Sequence, residues 1–202
     1  MMHIGLDFDN TLICYDELFK LVALEKRLIP QEIQANKNVI RNFLKKIDRE
    51  DDWTRLQGEV YGNYILRALP YPGMKNSLEF LANLNIPLTI VSHKTKRPFL
   101  GEPWDLHAAA RTWLDKNEMH SRLGPNISRE QTFFEFTKQA KCSRILAEGC
   151  THYIDDLPEI LEMLPDTVIK IHFAPNGASF KSHKWLIMNS WDQLPMLLGL
   201  LA

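Results

Sequence analysis

Two aspartates separated by one residue, Asp7 and Asp9, directly follow a short apolar run, and they constrain the fold more than any other feature of the sequence. Residues 2–8 carry an apolar side chain at every second position, which predicts a buried strand. Like charges this close repel by about 4 kcal/mol at about 4 Å and an effective dielectric of about 20. A folded protein keeps such a pair where a cation or a proton offsets the repulsion. The pair therefore predicts a metal site, or a nucleophile with an acid beside it.

Strands and helices alternate along most of the chain. Apolar runs predict further strands at 87–91, 131–136, 152–154 and 167–173, and helical spacing predicts helices at 74–83, 105–116, 138–148, 158–164 and 191–200. Such alternation predicts an α/β fold with a Rossmann-like three-layer core, in which helices cover both faces of a mainly parallel five-stranded sheet.

The segment between the first strand and the Pro70-Tyr71-Pro72-Gly73 turn has only helical patterns. Its length is far beyond that of a normal connection between two elements. We therefore interpret residues 15–69 as an inserted α-helical cap, and residues 1–14 and 70–202 as the catalytic core.

Polar residues follow the predicted strands at the point where each strand ends. These residues are Asp7 and Asp9, Ser92, the turn at 137–138, and the pair Asp155-Asp156. Ligands of open α/β sheets bind outside the carboxyl ends of the strands. The sequence therefore predicts that these groups converge on one crevice.

These residues resemble the motifs of the haloacid dehalogenase superfamily, whose phosphohydrolases use an aspartate nucleophile. Asp-Phe-Asp-Asn-Thr at 7–11 matches its first motif, a strand ending in DxDxT. The strand ending at Ser92 is similar to the second motif, Lys138 or Lys141 to the third, and Asp155-Asp156 to the fourth. The resemblance covers nearly the whole chain, with the motifs in the expected order, and it implies a helical cap inserted after the first motif.

The resemblance implies a division of roles between the two first aspartates. Asp7 would be the nucleophile that forms an aspartyl phosphate. Asp9 would protonate the leaving oxygen and then activate water. Thr11 would fix the loop that carries both.

Phosphate binding is expected from a second group of residues. Ser92 would donate a hydrogen bond to phosphate, with the backbone of His93 and Lys94 nearby. A lysine would hold the phosphate and offset the aspartates. Lys138 is preferred for this role because it directly follows a strand, and Lys141, one turn later, is the alternative.

Hard oxygen ligands with room for water and phosphate oxygens suit Mg²⁺. The resemblance implies ligation by Asp7, the Phe8 backbone carbonyl and one acid of the later pair, with Asp155 first. Asp156 would be a second ligand or would orient Lys138, and Asp9 is included among the candidate ligands. The alternative for Asp155-Asp156 is a solvated turn that caps the next helix.

These roles predict a Mg²⁺-dependent phosphomonoester hydrolase, an enzyme acting on a small phosphorylated metabolite. In the family that the chain resembles, dehalogenases and phosphonate-cleaving members lack an acid at the position of Asp9, which favours phosphate ester hydrolysis here. The substrate is expected to be a nucleotide or a sugar phosphate; Ile-Asp-Asp-Leu-Pro at 154–158 is similar to the deoxyribonucleotidase branch. The alternatives are a phosphomutase, which shares both acids, and a non-catalytic phosphate-binding protein, against which the presence of both Asp7 and Asp9 argues.

Composition excludes other classes of partner. The chain has 24 lysines and arginines against 25 aspartates and glutamates, so no net attraction to nucleic acid or to a membrane surface is expected. The first strand begins almost at residue 1 without a signal-peptide pattern, and the three cysteines are scattered, so we expect a cytoplasmic protein. The sequence contains no signal for an oligomeric state.

Overall fold

A computed structural model describes residues 1–177 and 184–201. The chain divides into two compact units. The first contains Met1–Leu12, Pro70–Lys94 and Asn117–Ala202, and the second contains Ile13–Leu69 and Thr95–Lys116. The second unit thus includes the predicted cap segment together with residues 95–116, which the sequence analysis assigned to the core. That the second unit acts as a cap stays a prediction.

The described residues form short strands and helices in alternation. The strands are β1 Ile4–Leu6, β2 Ile13–Cys14, β3 Leu69–Pro70, β4 Leu88–His93, β5 Thr132–Glu135, β6 His152–Asp155, β7 Ile169–Phe173 and β8 Leu186–Met188. The α-helices are α1 Asp16–Glu25, α2 Lys37–Lys46, α3 Glu50–Tyr61, α4 Met74–Asn83, α5 Leu106–Lys116, α6 Lys138–Ala147, α7 Pro158–Met163 and α8 Leu194–Leu197.

The first unit is built on a six-stranded sheet in the order β5-β4-β1-β6-β7-β8, and all neighbouring strands are parallel. The helices α6 and α7 pack together and contact β4 to β7, whereas α4 packs with α8. The predicted α/β class with a mainly parallel sheet is confirmed. The predicted count of five strands is wrong, because β8 has only three residues and is too short to show a period in the sequence.

Two predicted helices have different bounds in the structure. In the predicted cap segment, the sequence has a helical pattern at 33–47, but the helix begins at Lys37, because the side chain of Asn36 accepts hydrogen bonds from the first turn and caps it there. The closing helix predicted at 191–200 is a 3₁₀ turn, Trp191–Gln193, followed by the short α8. Ser190 and Gln193 form a capping box that starts this turn.

Strand β1 lies in the middle of the sheet, and its residues are buried. The backbone N–H of Asp7 donates to the carbonyl of Ile154, which extends the pairing with β6 by one residue beyond the strand. Asp7 therefore sits at the carboxyl edge, beside the ends of β4 and β6. The predicted convergence of strand ends is present in the sheet.

The second unit contains the helices α1, α2, α3 and α5, and an aromatic cluster lies in its core. The rings of Phe19 and Trp53 stack with their centroids 5.1 Å apart, and Tyr15 contacts Tyr61 edge to face at 4.9 Å. Such pairs stabilise a small helical unit beyond the apolar area that they bury. Among the described residues, no helix has the length and apolar character needed to cross a membrane.

Gly5 allows the centre of β1 to pack closely against β6. A Cβ atom at this position would lie 2.6 Å from Cδ2 of Tyr153 and 2.9 Å from Sγ of Cys150. Both neighbours are buried side chains, so neither has free space into which to move. We predict that Gly5→Ala lowers the free energy of unfolding by about 1–3 kcal/mol. Chemical denaturation would measure this as a lower midpoint at an unchanged slope, and an unchanged midpoint would contradict the account of β1 packing.

Candidate active site

Asp7 is a buried carboxylate, 4% exposed, at the centre of the site. Its Oδ1 atom accepts hydrogen bonds from Ser92 Oγ at 2.8 Å and from Lys141 Nζ at 2.6 Å. Its Oδ2 atom accepts from Thr11 Oγ1 at 3.2 Å. These three donors fix the orientation of the carboxylate, as a nucleophile requires.

The loop after Asp7 turns sharply and brings Thr11 back to it. Asn10 has a φ of 58°, in the left-handed region that asparagine tolerates better than most residues. The Phe8 carbonyl accepts backbone N–H groups from Leu12 at 3.1 Å and Thr11 at 3.4 Å. Thr11 is fully buried, which matches its interpretation as the residue that fixes the loop.

Lys141 joins the first aspartate to the fourth motif. Its Nζ atom lies 2.6 Å from Asp155 Oδ2 as well as from Asp7 Oδ1, and both Lys141 and Asp155 are fully or almost fully buried. Burial alone would lower the pKa of Lys141, but the charges of Asp155 and Asp7 outweigh it and raise that pKa above its usual value. Burial raises the pKa of Asp155 to about 7; Lys141 opposes this rise and Asp7 adds to it. The pKa values of Lys141 and Asp155 are therefore both raised, as expected where carboxylates outnumber ammonium groups.

Carboxylates of Asp7, Asp155 and Asp156 form a group with the chemistry of a metal site. One oxygen from each lies within 4.8 Å of the others. Asp7 and Asp155 are buried and Asp156 is half-buried. Three hard oxygen donors, one of them on a half-buried residue, fit Mg²⁺, which prefers a few carboxylates together with water and phosphate oxygens.

Asp9 lies in a separate ion pair with Lys94. Lys94 Nζ is 2.8 Å from each of the two carboxylate oxygens of Asp9. The Lys94 side chain is 3% exposed and that of Asp9 is 22% exposed. The second aspartate of the motif is therefore oriented by a lysine of its own.

The preference for Lys138 over Lys141 does not fit this geometry and is corrected. Lys138 forms an ion pair with Glu159 at the surface, whereas Lys141 reaches Asp7. Side chains of a helix tilt toward its N-terminus and cover the turn before their own Cα atom. The lysine one turn into α6 therefore reaches the strand ends, and the lysine at the first position does not.

Two of the expected metal ligands make other contacts in the structure, and their role as ligands stays a prediction. The Phe8 carbonyl already accepts two backbone N–H groups of the turn, and both oxygens of Asp9 bind Lys94. Among the described residues, the three close carboxylates are those of Asp7, Asp155 and Asp156.

The backbone N–H groups of His93 and Lys94 are predicted to lie near the phosphate. The N–H of Lys94 donates to the Glu135 carbonyl instead. The ring Nε2 of His93 lies 3.2 Å from the Phe136 carbonyl, and the role of the His93 N–H stays a prediction. Sequence reasoning missed the pairing of the Lys94 side chain with Asp9. The alternation of side chains along a strand could have indicated it. With this period of two, Ser92 and Lys94 share one side of the chain and His93 lies on the other.

Comparison with known proteins identifies the fold. No family model and no curated protein sequence matches the chain. Among solved structures, the chain is similar to a HAD hydrolase of Bacillus subtilis bound to magnesium (TM-score 0.65, 11% identity, 98% of each chain covered). It is also similar to a predicted phosphoglycolate phosphatase of Haemophilus somnus (TM-score 0.62, 14% identity, 98% of each chain). A third similar structure is a phosphoserine phosphohydrolase-like protein of Francisella tularensis (TM-score 0.59, 15% identity, 98% of this chain and 100% of that one).

The chain has the haloacid dehalogenase fold. The similarity spans nearly the whole of both chains in each case, although fewer than one residue in six is identical. The resemblance predicted from short motifs is thereby confirmed at the level of the fold. The roles of the individual site residues are not tested by this similarity and stay predictions.

Mg²⁺ should stabilise the protein through the three close carboxylates. At a concentration about tenfold above its dissociation constant, a ligand of the folded state adds about 1.4 kcal/mol, which raises the Tm of a chain of this size by about 3–6 °C. We predict such a rise in a thermal melt with Mg²⁺ against EDTA. Asp155→Asn and Asp156→Asn should abolish it, and Glu162→Gln, an exposed acid on α7, should retain it.

The rise in Tm caused by Mg²⁺ should increase with pH. The pKa of Asp155 is raised in the metal-free protein, so at pH 6 this group is largely protonated and Mg²⁺ must displace the proton. At pH 8 the group is ionised and the repulsion that Mg²⁺ relieves is fully present. The Mg²⁺-dependent rise should therefore be larger at pH 8 than at pH 6, and a larger rise at pH 6 would contradict the assignment of Asp155 as a ligand.

Proposed function

We propose that the protein is a Mg²⁺-dependent phosphomonoester hydrolase that acts on a small phosphorylated metabolite through an aspartyl phosphate on Asp7. One observation carries the proposal: a buried carboxylate at the end of the central strand is bound by a hydroxyl and an ammonium group and lies beside two further carboxylates. The hydrolases and phosphatases among the similar folds support the same reaction class.

Asp7, Asp155 and Asp156 would hold the metal, which when bound supplies positive charge to the oxygens of the substrate phosphate. The chain's own residues supply the remaining charge and the orientation. Lys141 and Ser92 hold Asp7 in place and offer donors to the phosphoryl group.

The reaction proceeds in two transfers. In the first, a carboxylate oxygen of Asp7 attacks phosphorus, the bond from phosphorus to the ester oxygen breaks, and the ester oxygen leaves with a proton from Asp9. In the second, water attacks phosphorus and gives a proton back to Asp9, while the bond between phosphorus and Asp7 breaks. The products are the alcohol and inorganic phosphate, and both aspartates return to their starting states.

Asp9 supports ester hydrolysis over the other reactions of this fold. An alkoxide is a poor leaving group and needs a proton, and Asp9 is the acid closest in sequence to Asp7. A non-catalytic role is disfavoured because both aspartates are present and Asp7 is held by three donors. The similar folds include proteins named for phosphoglycolate and phosphoserine, which supports a small substrate; nucleotides and sugar phosphates are the first to test.

A comparison of two lysines on one helix tests the assignment. We predict that Asp7→Asn lowers kcat by at least about a thousandfold, and that Lys141→Met lowers it by about a hundredfold or more. Lys138→Met, the matched control on the same helix, should stay within about twofold. The measurement is release of inorganic phosphate from a panel of phosphomonoesters that includes an aryl phosphate.

Three results would contradict the proposal. The first is no Mg²⁺-dependent phosphate release from any ester, and the second is retained activity in Asp7→Asn. The third is a strict requirement for a bisphosphorylated activator with little phosphate release, which would indicate a phosphomutase.

A further inference from the structure

Lys94 is a buried cation to which none of the four motifs assigns a role. Its Nζ atom binds both oxygens of Asp9 at 2.8 Å, and its side chain is 3% exposed. A lysine is almost never buried to this extent without a partner. Burying an ammonium group also costs free energy, so packing alone gives little reason to place a lysine here. The position of Lys94 therefore suggests a role in the reaction in addition to packing.

Contacts of the backbone and of the side chain hold Lys94 in place. The backbone N–H of Lys94 donates to the Glu135 carbonyl at 2.9 Å, which ties this residue to β5. The Nζ atom lies 5.4 Å from the centroid of the Phe8 ring, within the range of a cation–π contact. Phe8 is itself fully buried and packs edge to face on Phe134 at 5.8 Å. Lys94 is therefore held from the strand and from the ring between the two aspartates.

Asp9 by contrast lies between β1 and the turn at Asn10. Asn10 has the left-handed conformation, and the Asp9 side chain is more exposed than those of Lys94, Asp7 and Lys141. A partly exposed aspartate side chain can rotate about χ1 toward solvent. An ammonium group bound to both of its oxygens opposes this rotation.

We propose that Lys94 is a positioning residue that holds the carboxyl group of Asp9 in the orientation from which it exchanges a proton with the ester oxygen and with water. The proposal rests on the proposed function. One oxygen of Asp9 can carry the proton while the other still accepts from Lys94, so the contact persists through both transfers. Lys94 acts through Asp9 and forms no bond to the substrate.

The leaving group of the substrate distinguishes this role from a structural one. The leaving group of a nitrophenyl phosphate is nitrophenolate, a stable anion that hardly needs a proton. The leaving group of a simple alkyl phosphate is an alkoxide, which needs one. The value of kcat/KM covers the steps up to the first irreversible transfer, so it isolates formation of the aspartyl phosphate. A residue that positions Asp9 must therefore affect the alkyl ester much more than the aryl ester.

The experiment measures kcat/KM for both esters in the wild type, Lys94→Met, Asp9→Asn and the double variant. We expect Lys94→Met to lower the value for the alkyl ester by about a hundredfold or more, and the value for the aryl ester by less than about fivefold. In the Asp9→Asn background, Lys94→Met should add less than about threefold, because the two residues act as one unit. Lys94→Arg, whose planar group also binds both oxygens of a carboxylate, should restore most of the alkyl activity.

Lys96→Met is the matched control, since it is the same change at an exposed lysine two residues away. It should leave both values within about twofold. If Lys94→Met does not fold, as judged by its thermal melt, Lys94→Gln replaces it. This variant should show the same larger loss of kcat/KM for the alkyl ester than for the aryl ester.

Equal losses for the two esters, or additive losses in the double variant, would overturn the role of Lys94 while the proposed function stands. The alkyl ester is one that the wild type hydrolyses in the panel described above. If the wild type hydrolyses no ester of that panel, the proposed function fails first, and the role of Lys94 fails with it.

Discussion

An excess of buried negative charge at the end of the central strand is the constraint on which the rest of the site depends. Among the described residues, four carboxylates meet two ammonium groups there. The carboxylates are those of Asp7, Asp9, Asp155 and Asp156, and the ammonium groups are those of Lys94 and Lys141. Like charges in a buried site are costly unless a cation offsets them. The raised pKa of Asp155 has burial as its main cause, and Asp7 adds to it. A divalent cation would bring the site to neutrality before a phosphate arrives.

The two lysines contact different carboxylates of the site. Lys141 binds Asp7 and Asp155 and so connects the proposed nucleophile to the proposed metal ligands. Tyr153 packs against Lys141, with its ring centroid 5.5 Å from Lys141 Nζ. Its hydroxyl donates to the carbonyl of Val91, next to Ser92. Lys94 binds both carboxylate oxygens of Asp9. Two carboxylates separated by one residue therefore have different partners, which is what two different chemical roles require.

Sequence reasoning predicted those parts of the site that depend on strands. Asp7, Ser92 and Asp155 follow from a simple rule, since parallel strands end at one edge and polar residues at those ends meet. The choice between Lys138 and Lys141 failed because it depends on the direction in which helical side chains tilt, whereas position along the chain favours the first lysine. A period of two places Lys94 on the same side as Ser92, but its contact with Asp9 also depends on the turn at Asn10 and on the Phe8 ring, neither of which a strand pattern encodes. Strand β8 was missed for a different reason, because three residues carry too little periodicity.

The central claim is that Asp7 carries the phosphoryl group between the two transfers. Mass spectrometry of the enzyme, quenched in acid during turnover of an aryl phosphate with Mg²⁺ and then digested, tests it most directly. The account predicts that the peptide containing Asp7 gains the mass of one phosphoryl group, and that this gain disappears in Asp7→Asn. Turnover with no phosphorylated peptide at any time, or a phosphoryl group on a different residue, would contradict it.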